Sequence, residues 1–199
     1  MPDAQIQRVL ALAIRAGSIL VLTLKHDEVG LVEEILSSWL DQSGWPGRAV
    51  GLDADGLLEE EIAEASIILL PDVGDPIAWR EGLSQTDAVE FLLSALDDGA
   101  IILAEGPAAE TFGEAMETVL SSASGGFDSG LGWLPKAVIQ GHFSHLRKST
   151  ILLKRSNLFR IGLPEGTALA LGPQEEREVW GVNPPIITFG SEWTHGQQA

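Results

Sequence analysis

Three short, almost wholly apolar runs constrain this chain more than any other feature: Ser18–Thr23 (SILVLT), Ser66–Pro71 (SIILLP) and Ala100–Ala104 (AIILA). Each is too short for a stable helix and lacks the polar alternation of a strand with one wet face. Each therefore reads as a strand covered on both sides. Between them lie stretches of helical character. Ala4–Ala16 precedes the first run. A helix capped by Asp27 is expected through about Ser43, with Val29, Val32, Ile35, Leu36 and Leu40 on one face. Gln42–Gly47 breaks it, Arg48–Asp53 reads as a further strand, and Leu57–Ala65 as an acidic helix. Thr86–Asp98 reads as a helix capped by Ser84.

Strands alternating with helices imply an α/β fold, a mostly parallel sheet between two helical layers. Ala108–Ser122 is the next expected helix and Ser121–Gly132 a glycine-rich connection. After it come a strand over Ala137–Phe143 and a helix over Leu146–Ser156. Four short strands follow, Phe159–Leu163, Ala168–Leu171, Glu178–Val182 and Ile186–Phe189, whose crowding predicts antiparallel pairing at one edge near the C-terminus. No internal repeat or interdomain linker is visible, so residues 1–199 are expected to form one domain.

Composition narrows the function. The chain has no cysteine, which removes disulfides, cysteine metal sites and a thiolate nucleophile. Its formal charge of −17 argues against nucleic acid, whose phosphates need clustered Lys and Arg. The acid surplus is read first as a solvated surface. No apolar run approaches a membrane span, and Gln7 and Arg8 interrupt the N-terminal apolar stretch; no membrane association and a cytoplasmic location are expected. No cofactor and no metal are expected.

Ligands of such a sheet collect beyond the carboxyl ends of its strands. The sharpest turn there is Ile101–Ala109, where an apolar strand runs through Glu105, Gly106 and Pro107 into a helix. A nucleophile elbow is built this way, but this one offers neither serine nor cysteine. Pro107 also lacks a backbone N–H that could serve an oxyanion. On the pattern alone, a tight turn with a proline start is the better account. His142 lies in Gly141–His145 at a strand end, where it could act as a base. With His145 it makes an HxxH pair that lacks a third metal ligand. The loop Pro71–Pro76 carries Asp72 and Asp75, and Glu165 sits in a turn between strands.

Several of these stretches resemble the cyanophycinase and α-aspartyl dipeptidase (dipeptidase E) family of serine peptidases. Gly130–Pro135 (GLGWLP), Val138–Ser144 (VIQGHFS) and Ile161–Ala168 (IGLPEGTA) are similar to the family's GLGLLP, DQHFS and IGIDEDTA segments. Ser66–Asp75 is similar to its strand and GGDQ loop, and Ile102–Glu114 to its GTSAGA elbow. The resemblance spans nearly the whole chain and implies the class I glutamine-amidotransferase-like fold, with a flavodoxin-like core.

It also implies where chemistry should sit. An ungapped match puts the nucleophile at Gly106, or at Pro107 if shifted by one. The base position falls on His142, and a glutamine near the oxyanion site falls on Pro76. Gly74, Asp75, Pro76, Pro107 and Ser144 would line the pocket, with Glu165 kept among thinned acids. The family's opening strand would precede Ala4 and is expected to be missing. A base with no nucleophile cannot carry out this acyl transfer.

The leading expectation is a non-catalytic homologue that binds a small peptide-like ligand or a protein partner. One alternative is an active hydrolase of acidic or aspartyl peptides with a relocated nucleophile, Ser144 or Thr111. Another is a structural subunit of a dimer. Relatives in this fold commonly dimerise, so a homodimer is expected, with Trp45–Pro46 and Trp180–Pro185 as possible contact segments.

Overall fold

The structure is a computed structural model that describes residues 3–14, 17–54, 58–117, 127–143, 151–172 and 176–193. Its contacts group the chain into two compact units, Met1–Ala108 and Ala109–Ala199.

The three apolar runs form the heart of the first unit. Strands β1 (Ser18–Thr23), β2 (Gly47–Gly51), β3 (Ala65–Leu70) and β4 (Ile101–Ala104) make one parallel sheet in the order β2-β1-β3-β4. Central β3 is buried along its whole length, and β1 from Ile19 to Thr23. Ile19 pairs with Ile67, and Ile67 with Ile101, so the apolar runs lie in register across the sheet. The helices are α1 (Asp3–Leu12), α2 (Glu33–Ser43), α3 (Leu58–Glu64), α4 (Pro76–Gln85) and α5 (Ala88–Asp97). The connections β1–α2–β2 and β2–α3–β3 cross the sheet in opposite directions. Right-handed crossovers then put α2 and α3 on opposite faces. Helix α1 packs with α2, and α3 with α5, giving the expected three layers.

Several expected boundaries are corrected. Asp27 does not cap a long helix. His26–Val32 forms a 3₁₀ segment entered from Lys25, with no side-chain cap, and α2 follows it. The cause is a close approach: a Cβ on Gly51 would lie 2.6 Å from His26 Cα, so the chain must turn tightly over the end of β2. Ser84 caps nothing, because it lies inside α4, a helix not anticipated from the sequence. Helix α5 instead follows Asp87, which has φ 54° and makes no side-chain cap.

The helix expected over Ala108–Ser122 shrinks to α6 (Gly106–Glu110). Backbone pairing stops it. The carbonyls of Thr111, Phe112, Gly113 and Glu114 accept from the N–H groups of Leu131, Leu134, Gly132 and Gly130, at 2.7–3.0 Å. These acceptors would otherwise serve the next helical turn. The chain then forms β5 (Ala115–Met116), antiparallel to β6 (Asp128–Ser129). Residues 118–126, which include the end of that expected helix, lie outside the described residues.

The second unit holds β7 (Ala137–Gln140), α7 (Ile151–Lys154), β8 (Phe159–Gly162), β9 (Ala168–Leu171), β10 (Arg177–Trp180) and β11 (Ile186–Phe189). The expected antiparallel pairs exist, but in small sheets of this unit and not at an edge of the four-stranded one. Sheet β11-β8-β7 joins an antiparallel pair to a parallel one, and β9 and β10 form a separate ribbon. Ala115, Val138, Ile151, Leu152 and Leu158 pack as a core cluster. Trp180 is buried and serves packing. The helix expected over Leu146–Ser156 is seen only as α7, residues 146–150 being outside the described set.

Candidate functional site

In the first unit, β3 and β4 are parallel neighbours, so the loops leaving their carboxyl ends emerge side by side. The N–H of Glu105 donates to Leu70 O at 2.9 Å and carries the pairing one residue past β4. The chain then reverses at Gly106, whose φ of +48° lies in the left-handed region. Ala108 N–H donates back to Glu105 O at 3.1 Å, and α6 begins. This is the strand–turn–helix anticipated from the sequence, with glycine where the backbone is strained for other residues.

The space beside Gly106 is occupied. A Cβ there would lie 2.6 Å from Asp72 Cγ, and closer still to Asp72 Oδ1. Asp72, itself exposed, belongs to the loop after β3, whose neighbouring residues are held by hydrogen bonds. Val73 N–H donates to Pro71 O at 2.9 Å, and Trp79 Nε1–H donates to Val73 O at 2.7 Å. Asp75 Oδ1 accepts from the N–H groups of Ile77 and Ala78 at 2.9 and 3.1 Å, and Pro76 opens α4. Gly74 has φ +70° and lies against Leu24. The pocket candidates Gly74, Asp75 and Pro76 are thus a helix start, with the Asp75 carboxylate engaged in capping. A cavity of about 10 Å³ between Trp39, Leu70, Pro71, Leu103 and Glu105 has room for roughly one water.

In the second unit, His142 follows β7 with φ +46° and an exposed side chain. Its neighbours fix the turn: Leu163 N–H donates to Gln140 O at 2.9 Å, Phe143 N–H to Leu163 O at 3.0 Å, and Gly141 N–H to Glu110 Oε1 at 3.0 Å. The Phe143 ring rests on Gly162 and stacks on the Arg160 guanidinium, 4.8 Å from its centroid. Arg160 is buried in β8 and donates to Thr188 Oγ1 at 3.2 Å. Burial pushes its pKa below the usual arginine value, and the Glu117 carboxylate works against that shift. A cavity of about 340 Å³ is bounded by Phe143, Pro164, Asn183, Pro184 and Ile186. Glu165 is exposed in a turn closed by Thr167 N–H to Pro164 O at 3.0 Å.

No protein-family model matches the chain, and no curated protein matches it. Solved structures similar to it include two peptidases. One is a peptidase from an acI-B1 Actinobacterium, 14% identical, with a TM-score of 0.74, covering 95% of this chain and 88% of that one. The other, from Listeria monocytogenes EGD-e, carries a peptidase E name; it is 11% identical, with a TM-score of 0.62, covering 89% and 93%. The chain has the fold of these peptidases.

On this peptidase fold the sequence-derived site residues separate into distinct roles. Gly106 and Pro107 form the elbow turn, and neither supplies a hydroxyl. Thr111 is fully buried just past α6, where no substrate reaches its Oγ1. Ser144 and His145 lie outside the described residues. Among the described residues, no group of three His, Asp or Glu side chains could hold a metal ion. No described helix is long and apolar enough to cross a membrane.

Sequence reasoning missed three participants. Asp72 was only one acid of a loop, and no pattern paired it with Gly106. Glu110 left no signal, because its partner is a backbone N–H thirty-one residues away. Arg160 did leave one: a charge within the otherwise apolar FRIG strand asks for a buried partner.

Proposed function

We propose that this chain is a non-catalytic relative of the cyanophycinase and α-aspartyl dipeptidase peptidases, acting by binding a peptide-like ligand or a protein partner. The observation that carries this reading is Gly106. The turn after β4 has a left-handed backbone at the position where such an enzyme would mount its serine, and the residue there is a glycine, which has no side chain to attack a carbonyl. The burial of Thr111 supports the reading further, because it removes one of the two hydroxyls available for a relocated nucleophile. His142, exposed on its own strained turn, is the remnant of the base. The homodimer inferred from the resemblance belongs to the same proposal and is read by light scattering.

The test is direct. Purified protein is incubated with a serine-directed phosphonate and, separately, with α-aspartyl and β-aspartyl-arginine peptides. Neither adduct nor turnover is expected. Robust hydrolysis by the pure protein overturns the reading, and its loss in Ser144→Ala would identify the relocated nucleophile.

A further inference from the structure

Helix α5 is apolar around more of its circumference than its buried face needs. Ala88, Leu92 and Ala95 stack along one side and are buried. The next row, Val89, Leu93 and Leu96, has the same spacing, yet Val89 is only half-buried, Leu93 is 44% exposed and Leu96 39%. The row continues past the helix. Gly99 is its next position, with its N–H donating to Leu96 O at 3.0 Å. Ile14 lies against it: a Cβ on Gly99 would be 3.7 Å from Ile14 Cδ1, and Ile14 is 87% exposed. Single exposed apolar side chains are ordinary, but a continuous row of them marks an interaction site. The charge around this row has one sign. Asp87, Glu90, Asp97 and Asp98 are the charged residues of α5 and its flanking positions, and all are exposed. Helix α3, packed against α5, adds exposed Glu59, Glu60 and Glu64 and carries no basic residue. The C-terminal end of the α5 dipole adds negative potential beside Leu96. Gly99 and Ile14 lead into the amino ends of β4 and β1, whereas Gly106 follows the carboxyl end of β4, so this face is separate from the elbow.

We infer that this face of α5 docks a partner protein through a basic amphipathic helix. The apolar stripe of that helix covers Leu93, Leu96 and Ile14, and its Lys or Arg flanks meet the surrounding acids. Charge decides the occupant. A second copy of this chain would set the same acids against these, in a protein of net charge −17, and like charges oppose association. A basic helix finds opposite charge at the rim, which steers the encounter, and apolar surface at the centre, which supplies affinity. The inference goes beyond the non-catalytic reading and does not depend on it.

The probe is a fluorescently labelled peptide of about 14 residues, built from Leu and Lys with helical periodicity. Its binding is read by anisotropy beside that of a Leu/Glu counterpart. The Leu/Lys peptide is expected to bind the wild type and the Leu/Glu peptide to fail. L93S/L96S leaves every charge in place and is expected to weaken binding by about tenfold or more. I14S alters an exposed residue outside any helix, so it should weaken binding to a smaller degree at unchanged Tm, and it keeps the test open if the double variant unfolds. E90Q/D97N should bind more weakly and with less dependence on salt. No binding to the wild type overturns the inference. So does binding undiminished in L93S/L96S and I14S, which would reduce the effect to general attraction by an acidic surface. Equal binding of the Leu/Glu peptide also overturns it, as does wild-type self-association in light scattering that L93S/L96S abolishes, which would make a second copy the occupant. Peptidase turnover by the wild type would count against the non-catalytic reading and leave these affinities unchanged, so the two failures are told apart.

Discussion

Glu110 accepts a hydrogen bond from the backbone N–H of Gly141 at 3.0 Å, and so holds the residue that precedes His142. Leu163 secures the other side of the same turn through Gln140 and Phe143. The left-handed backbone of His142 is thus determined by its neighbours, as a strained residue requires. Glu110→Ala would remove the acceptor and leave a part-buried N–H without it. The expected loss is about 1–3 kcal/mol, and Glu110→Gln, which keeps a side-chain carbonyl, should lose less. Urea denaturation of the three proteins checks this; equal stability of all three would show the contact to be idle.

Asp75 offers a simpler case. Its carboxylate caps α4 through Ile77 and Ala78, and Pro76 presets the first helical φ. Asp75→Ala is expected to cost about 1 kcal/mol, with Asp75→Asn recovering most of it. Thermal unfolding reads both. If Asp75 served a ligand instead, the alanine variant would melt like the wild type.

These two residues show what could be read from the sequence. An apolar run such as SIILLP needs no context to be a buried strand, so the parallel sheet and its order of alternation were legible. Asp75 was visible as an acid in a loop. Its capping role depended on recognising PIAWREGLSQ as a helix, of which only Trp79 and Leu83 are buried, too few to mark a helical period. Ala108–Ser122 failed for the opposite reason. Its local pattern suits a helix, but Gly130–Leu134 captures the carbonyls of Thr111–Glu114 from a distance. The elbow turn was legible in small residues after a strand. Its filling by Asp72 was not, since it depends on two loops meeting.

The buried charge in β8 sets a larger effect. Arg160 and Glu117 are both buried, and the carboxylate offsets part of the desolvation that lowers the Arg160 pKa. Removing one partner of such a pair leaves the other charge uncompensated, typically at about 3–5 kcal/mol. Glu117→Ala should approach that loss, whereas replacing both partners together, Glu117→Leu with Arg160→Met, should cost much less. The pH dependence follows from the sign of the shift. Above the lowered folded-state pKa the unfolded chain binds more protons, so this group's contribution to stability rises with pH only in the strongly alkaline range. Near neutrality Arg160 stays charged in both states and adds no slope. A loss for Glu117→Ala below 1 kcal/mol in denaturant titrations near neutral pH would contradict the coupling.

Gly162 gives the last prediction, because its missing side chain shapes the wall of the larger cavity. It pairs with Ile186 across the sheet, and the Phe143 ring lies over it. A Cβ on Gly162 would come within 2.5 Å of Phe143 Cγ, so Gly162→Ala must displace the ring. That ring also stacks on Arg160 and bounds the space of about 340 Å³ with Pro164 and Asn183. Overpacking of this kind costs about 1–3 kcal/mol. If the ring is the atom group in conflict, Phe143→Leu in the Gly162→Ala background should restore part of the loss, although Phe143→Leu alone destabilises. A double variant whose loss is the simple sum of the two would place the strain in the backbone of β8 instead, and equilibrium unfolding of the four proteins decides between these outcomes.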